Sequence, residues 1–181
     1  MAYTSSQVVQ AVPTGINSAL VFIAGGTLTT AASNSINNCF SATYTAYKII
    51  LYDIITSASG CNFTVRLGTS GTPDSSSQYY LYGTWVYSAG ASASGQEPSS
   101  AWRTMYQTDA SGSMVMDIIQ PFEASKTYCH YQASSNLSYY NTSQGSGFIN
   151  TSTSYTDFNL YANTGSYNIS SKYKIYGYTN S

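Results

Sequence analysis

The chain reads as an all-β domain, an antiparallel β-sandwich of about ten short strands. Three observations predict it. Runs of β-branched and aromatic residues recur with a period of two, clusters of Gly, Pro, Asn, Asp and Ser separate them, and no helical period is sustained anywhere. The clearest stretch is Tyr44 to Gly68, where the runs Tyr47 to Ile55 and Asn62 to Leu67 flank Thr56-Ser-Ala-Ser-Gly-Cys61. It reads as strand, turn and strand, with Gly60 supplying backbone freedom for the return. Phe63, Val65 and Leu67 alternate with Asn62, Thr64 and Arg66, so one face is buried and one wet. The first run is apolar at nearly every position and is expected to be a central strand covered on both sides.

Taken in order, residues 1 to 18 are polar and broken by Pro13 and Gly15, and read as an arm, either a frayed end or a docking tail. The sandwich domain is assigned to residues 19–181. Ala19 to Ala24 is a short apolar strand stopped by Gly25-Gly26, Thr27 to Ala31 a polar-facing one, and Ser33 to Asn38 a turn. Gly68 to Ser77 is dense in turn formers and reads as a surface loop. In the strand Tyr79 to Tyr87, Tyr80, Tyr82 and Thr84 share one face and Tyr79, Leu81, Trp85 and Tyr87 the other, with Gly83 marking a bulge or a close backbone approach. Ser88 to Ser100, rich in Ala, Ser and Gly, reads as a flexible binding or interface loop. Strands follow at Ala101 to Tyr106, Met114 to Ile119 and Lys126 to Gln132, the second ended by Pro121, and Ala133 to Gly147 reads as a polar loop. Phe148 to Asn150, Tyr155 to Tyr161 and Lys172 to Tyr178 complete the set, with a turn at Gly165. Long loops between hairpins favour a jelly roll, with a closed barrel as the alternative.

At 181 residues the chain fits one domain whose core needs no disulfide staples. Charged residues are 7% of it, against roughly a quarter in an ordinary soluble domain. Aromatics reach 15%, and 19 residues are Tyr, so hydroxyls and amides must carry the solubility. A net charge of −1 lacks the basic footprint that phosphate neutralisation requires, which argues against nucleic-acid binding. So little self-repulsion suits a subunit packed among neighbours better than a free monomer. Met1 to Gln10 has no basic segment followed by an apolar one and is not read as a secretory signal. No run approaches the ~18 apolar residues of a membrane span. Cys39, Cys61 and Cys129 are odd in number and lack metal-ligand spacing, which suggests buried thiols in a reducing compartment, with a Cys39–Cys61 bridge as the lesser reading.

No constellation demands catalysis, and no catalytic, metal or cofactor-binding residue is assigned. His130 is the single histidine, and Cys129 beside it would point to the opposite face of a strand, so the two cannot share a proton. A glycosidase needs two carboxylates facing each other about 5 to 9.5 Å apart. The candidates are Asp53, Asp74, Glu97, Asp109, Asp117, Glu123 and Asp157. Asp74 and Asp109 fit Asx turns, while Asp53 and Asp117 lie in apolar strands as inward partners for Arg66 or Arg103. Gly25-Gly26 and Gly145-Ser-Gly147 have no following helix, so phosphate cradling is unsupported. The Asn-x-Ser/Thr triplets at Asn62, Asn136, Asn141, Asn150 and Asn168 are chance in a chain this rich in Asn, Ser and Thr. Exposed aromatics remain: Tyr139-Tyr140, or Tyr80, Tyr82 and Trp85, which either stack on sugar rings or fill core and interface.

One pattern goes further. Leu28 to Ile36, Cys39 to Ile54 and Phe63-Thr-Val-Arg-Leu67 resemble jelly-roll modules of tailed-bacteriophage virion proteins, found in tail fibres, head fibres and capsid decorations. Asp157 to Tyr161, Gly165 and Lys172 to Gly177 look like the closing strands of those modules, whereas Ser171 stands where they often carry Gly. The long shaft that usually precedes such modules has no counterpart here, which favours a decoration or short-fibre role. The resemblance implies a non-enzymatic virion structural protein that assembles in the host cytoplasm. Its partners would be major capsid or tail proteins and further copies of itself, as in a trimer, held through apolar and Tyr-rich surfaces. The alternatives are a glycan-binding receptor-recognition tip and, behind it, a polysaccharide depolymerase. No cofactor, nucleic acid or membrane is implied.

Overall fold

The computed structural model describes residues 19–57, 61–87, 90–107, 111–135, 141–163 and 168–179, so the expected arm lies outside it. The strands are β1 (Leu20–Ala31), β2 (Ser33–Ile36), β3 (Ala46–Thr56), β4 (Cys61–Thr69), β5 (Thr72–Pro73), β6 (Tyr79–Tyr87) and β7 (Gly90–Ser99). They continue with β8 (Trp102–Gln107), β9 (Gly112–Ile119), β10 (Thr127–Ser135), β11 (Asn141–Ile149), β12 (Asp157–Ala162) and β13 (Ile169–Tyr178). All pair antiparallel, in an eight-stranded sheet ordered β1-β13-β3-β9-β10-β11-β6-β7 and a five-stranded sheet ordered β2-β12-β4-β5, with β8 also on β4.

The expected β-sandwich is therefore present, and its connectivity is that of a jelly roll. Four strands, β1-β13-β3-β9, face four others, β2-β12-β4-β8, and the chain changes sheet at almost every step between them. Two insertions, β5 to β7 and β10 to β11, widen the first sheet to eight strands. The core lies between the sheets. Tyr47, Ile49 and Leu51 of β3, Met116 and Ile118 of β9 and Ile175 of β13 meet Phe63, Val65 and Leu67 of β4 and Phe158 and Leu160 of β12. Each such side chain contributes about 1.5–3 kcal/mol by leaving water. Under the inserted strands β8 closes the sandwich: Trp102 Nε1 donates to the Tyr80 carbonyl at 3.1 Å, and Ser143 Oγ donates to the Thr104 carbonyl at 2.7 Å.

Several sequence expectations are corrected. β3 and β4 are not a hairpin, because they lie in different sheets and the chain crosses layers between them. Two apolar runs with a short bridge look the same in a hairpin and in a crossover, and only their partners distinguish the two; Gly60 itself lies outside the described residues. β3 is central in its sheet but covered on one face only: Tyr47, Ile49 and Leu51 are buried, while Lys48, Ile50 and Tyr52 are half-buried among their neighbours on the other side. Gly25-Gly26 does not end a strand, since β1 runs through it and the missing side chains make room for Tyr173. Ser33 to Ile36 is a strand rather than a turn, held by Asn159, whose Nδ2 donates to Ser33 Oγ and Ser35 Oγ at 2.9 and 2.8 Å. The segments 88–100 and 133–147, both read as loops, contribute β7 and the hairpin of β10 and β11. Their Ala, Ser and Gly residues favour strands poorly, but ladder pairing and cover from Trp85, Tyr131 and Trp102 outweigh it.

Asp53 also departs from expectation. It is not an inward partner of Arg66: it sits at a bulge in β3 with φ of 52°, where the ladders to both β13 and β9 skip a residue. The bulge turns its carboxylate outward to Lys172 Nζ at 2.9 Å. Ser171, buried opposite the bulge, brings its hydroxyl within 3.1 Å of the Tyr52 carbonyl oxygen. Ser171→Gly is expected to cost about 1–2 kcal/mol, because the Tyr52 carbonyl and the Lys172 carbonyl, 2.9 Å from the same oxygen, lose the one hydroxyl donor they share. Urea unfolding measures this, and an unchanged midpoint would remove that role for the hydroxyl. Arg66 instead donates to the Ser100 carbonyl at 2.7 Å and lies 4.3 Å from the Tyr161 ring centre.

Candidate functional site

Period-two alternation puts every second side chain of the eight-stranded sheet on its outer face, away from the five-stranded sheet. The ladders align these side chains in rows. Lys48, Asp117, His130, Ser146 and Tyr82 are neighbours across β3, β9, β10, β11 and β6. The next row is Ile50, Val115, Gln132, Gln144 and Thr84, and the one after it Ser113, Ser134, Thr142 and Val86. On the other side of the Lys48 row runs an aromatic one, Tyr128, Phe148 and Tyr80, with Tyr80 and Phe148 stacked at 4.7 Å and 8°.

A trench runs along the strands through these rows. One hollow of about 550 Å³ is lined by Lys48, Asp117, His130, Gln132 and Gln144 among others. A second of about 450 Å³ shares Thr84, Val115, Gln132 and Gln144 with it and extends to Ser113, Ser134 and Thr142. A third of about 260 Å³ continues from Ser113 and Ser134 to Tyr52 and Asp53. Tyr82 stands at the margin, 53% exposed. Gly95 opposite it lets the ring lie against β7, since a Cβ there would be 3.1 Å from two ring carbons.

The charges in the trench are internally matched. Lys48 Nζ is 2.8 Å from Asp117 Oδ1, and Tyr178 Oη donates to the same oxygen at 2.6 Å. Burial alone would lower the Lys48 ammonium, but Asp117 and Tyr178 outweigh it and hold it above its ordinary value. Burial and the adjacent Asp117 carboxylate both raise the Tyr178 phenol. Asp117 is thus an outward partner of Lys48, not an inward partner of arginine as the sequence suggested. An apolar strand carries it because its outer positions face a half-covered sheet surface. The side-chain amides of Gln132 and Gln144 have no protein hydrogen-bond partner among the described residues.

The remaining candidates are scattered. His130 is exposed in the trench while Cys129 is fully buried on the opposite face. Cys39 and Cys129 are free thiols, so the Cys39–Cys61 bridge is absent; burial raises the Cys39 thiol to about 12 and pushes Cys129 upward as well. Asp74 Oδ1 accepts from Ser76 N at 2.8 Å, as an Asx turn requires, and its Oδ2 accepts from Tyr155 Oη at 2.6 Å. Burial and that carboxylate raise the Tyr155 phenol to about 12. Asp157 is buried at the start of β12, and Glu123 is exposed after β9. Asp109, Tyr139, Tyr140 and the Glu97 side chain lie outside the described residues. Trp85 points inward and is 9% exposed, so it does not join Tyr80 and Tyr82 as a stacking surface. Among the described residues no cluster of three His, Cys, Asp or Glu could hold a metal ion. Asp117 and Asp53, at the two ends of the trench, are five residues apart along the sheet, roughly 16 Å.

Sequence reasoning placed Tyr80 and Tyr82 on one face but missed the trench, part of whose floor comes from the segment 133–147 read as loop. Its signal was the alternation of Ala133, Ser135, Ser143, Gly145 and Gly147 with Gln132, Ser134, Thr142, Gln144 and Ser146. No family model matches the chain, and no curated protein or solved structure matches it either.

Proposed function

We propose that the protein is a non-enzymatic structural component of a tailed-phage virion, a capsid decoration or a short head or tail fibre. Its working surface is the outer face of the eight-stranded sheet. One observation carries this reading. Every large apolar side chain left exposed among the described residues, namely Phe22, Ile55, Tyr82, Val86, Val115 and Tyr128, lies on that face. Scattered singly, such residues would mean nothing, but six on one side of a sandwich make a contact surface. The jelly-roll connectivity and the resemblance to virion modules support the assignment to a particle. Adhesion then rests on burial and hydrogen bonding, because both carboxylates that line the trench are spent on lysines, Lys48 and Lys172, and leave Lys174 as the one unpaired charge among the described residues of β3, β9 and β13 on that face.

The non-enzymatic part rests on the carboxylates. The two that line the trench are too far apart for the general-acid and nucleophile pair of a glycosidase, and each is held by a lysine. Attachment to the particle is expected to survive ~1 M NaCl, where the screening length falls to about 3 Å. Sedimenting particles of the producing phage with and without salt, and probing the pellet for this chain, checks it. Release by salt alone would overturn the burial-driven reading, and absence from the particle would overturn the virion assignment.

A further inference from the structure

The geometry points to the trench as a binding site for a neutral polysaccharide, a ligand of sugar rings carrying hydroxyls but no charge. The inference rests on the reading of the outer face as the working surface and names what that face binds. Four features carry it. First, the trench is elongated: three hollows joined through shared residues run along the strands, the first two about 550 and 450 Å³, each within the range of about 300–1,000 Å³ usual for small-ligand sites. A chain of sugar units fits such a shape better than a single compact ligand.

Second, the lining offers donors and acceptors without net charge. Gln132 and Gln144 keep both amide groups free of protein partners among the described residues, Thr84, Ser134 and Thr142 add hydroxyls, and Lys48 is matched by Asp117. Within the lining an anionic glycan or a nucleic acid would find no surplus lysine, since the unpaired Lys174 of this face stands outside it, on β13 beyond Ile50. Third, Tyr82 is a flat ring, exposed over half its surface and rested on Gly95, at the margin of these amides. A ring with one apolar face presented and a polar edge suits the C–H face of a sugar while neighbouring amides take its hydroxyls. Fourth, the floor is sheet face rather than sheet edge. The backbone groups of β9, β10, β11 and β6 are spent on their own ladders, so an extended peptide could not be recognised here by strand addition.

The test is affinity electrophoresis of the purified chain in gels containing dextran, mannan or laminarin, with alginate as the anionic control. Retardation by at least one neutral polymer and none by alginate is expected. Tyr82→Ala and Gln144→Ala are expected to weaken the retardation about tenfold. Both side chains are exposed, so their thermal melts should match the parent and separate lost binding from lost fold. No retardation by any neutral polymer, retardation by alginate alone, or unchanged retardation of both variants would each overturn the sugar site. Incorporation of the same variants into particles distinguishes the two readings. Lost incorporation without sugar binding leaves the face as a protein contact and removes the glycan, whereas unchanged incorporation without sugar binding removes the glycan and the outer face as the attachment surface while keeping the chain a component of the particle.

Discussion

Asp157→Ala is expected to lower the unfolding free energy by roughly 3–5 kcal/mol, or about 6–20 °C in melting temperature. The carboxylate is 2% exposed and joins two turns that the sequence places far apart. Its Oδ1 accepts from the backbone N–H of Asn38 at 2.9 Å and from Thr156 Oγ1 at 2.7 Å, and its Oδ2 accepts from the N–H of Gly71 at 2.6 Å. Asn38 and Gly71 both have positive φ, 54° and 80°, so each N–H is turned out of any ladder and needs this acceptor. Removing the carboxylate leaves both amides without a partner. Asn is a poor rescue, because its NH₂ would face one of the two donors.

The pH dependence follows from the same contacts. Burial would raise the Asp157 carboxyl, but the N–H groups of Asn38 and Gly71 and the Thr156 hydroxyl outweigh it and hold it below the ordinary carboxylate value. A carboxyl depressed in the folded state contributes stability that is fully present above its unfolded value, near 3.9, and is lost as pH falls through the folded one. The gap between parent and Asp157→Ala should therefore be widest at neutral pH and shrink below about pH 4. Urea titrations at pH 7 and pH 3 measure both. A gap that is small at pH 7, or that grows on acidification, would show that the clamp is not what holds these turns.

Strand existence was legible where side chains carry the signal. Phe63, Val65 and Leu67, or Met114, Met116 and Ile118, announce a buried face whatever their partners are. Strand partnership was not legible, because the bridge between β3 and β4 says nothing about which sheet receives the chain. β7 and β11 escaped for another reason. Ser143, Gly145 and Gly147 are inward residues that pack under Tyr131, Leu81 and Trp102, and the cover is supplied by aromatics elsewhere in the sequence. The trench inherits that blindness. Its polar residues look like loop residues until β10 and β11 align them beside Tyr82, a residue whose face the sequence did give correctly. Asp117 and Asp53 were legible as polar residues in apolar strands, but not their direction, which at Asp53 depends on a bulge.

Gly147→Ala is the substitution in the inserted strands with the largest expected effect. A Cβ at that position would stand 2.2 Å from the Tyr80 carbonyl oxygen, 2.9 Å from Leu81 Cδ1 and 3.1 Å from Trp102 Nε1. The first contact is with backbone and cannot be relieved by a rotamer change, so β6 and β11 must separate locally. The Tyr80 carbonyl is also the acceptor for Trp102 Nε1, so the same displacement loosens the bond that ties β8 beneath the inserted strands. Overpacking and the weakened bonds together should cost roughly 3 kcal/mol or more. Ser146→Ala, one residue away on the exposed face, should stay within about 0.5 kcal/mol and serves as the control. Because Phe148 pairs with Tyr80 and Ser146 with Tyr82 across that ladder, Gly147→Ala should also spread the trench and weaken any ligand held between Tyr82 and Gln144. Urea unfolding of the two variants side by side decides it: equal midpoints would mean that the β6–β11 spacing tolerates a methyl group and that the glycine is not what brings those strands together.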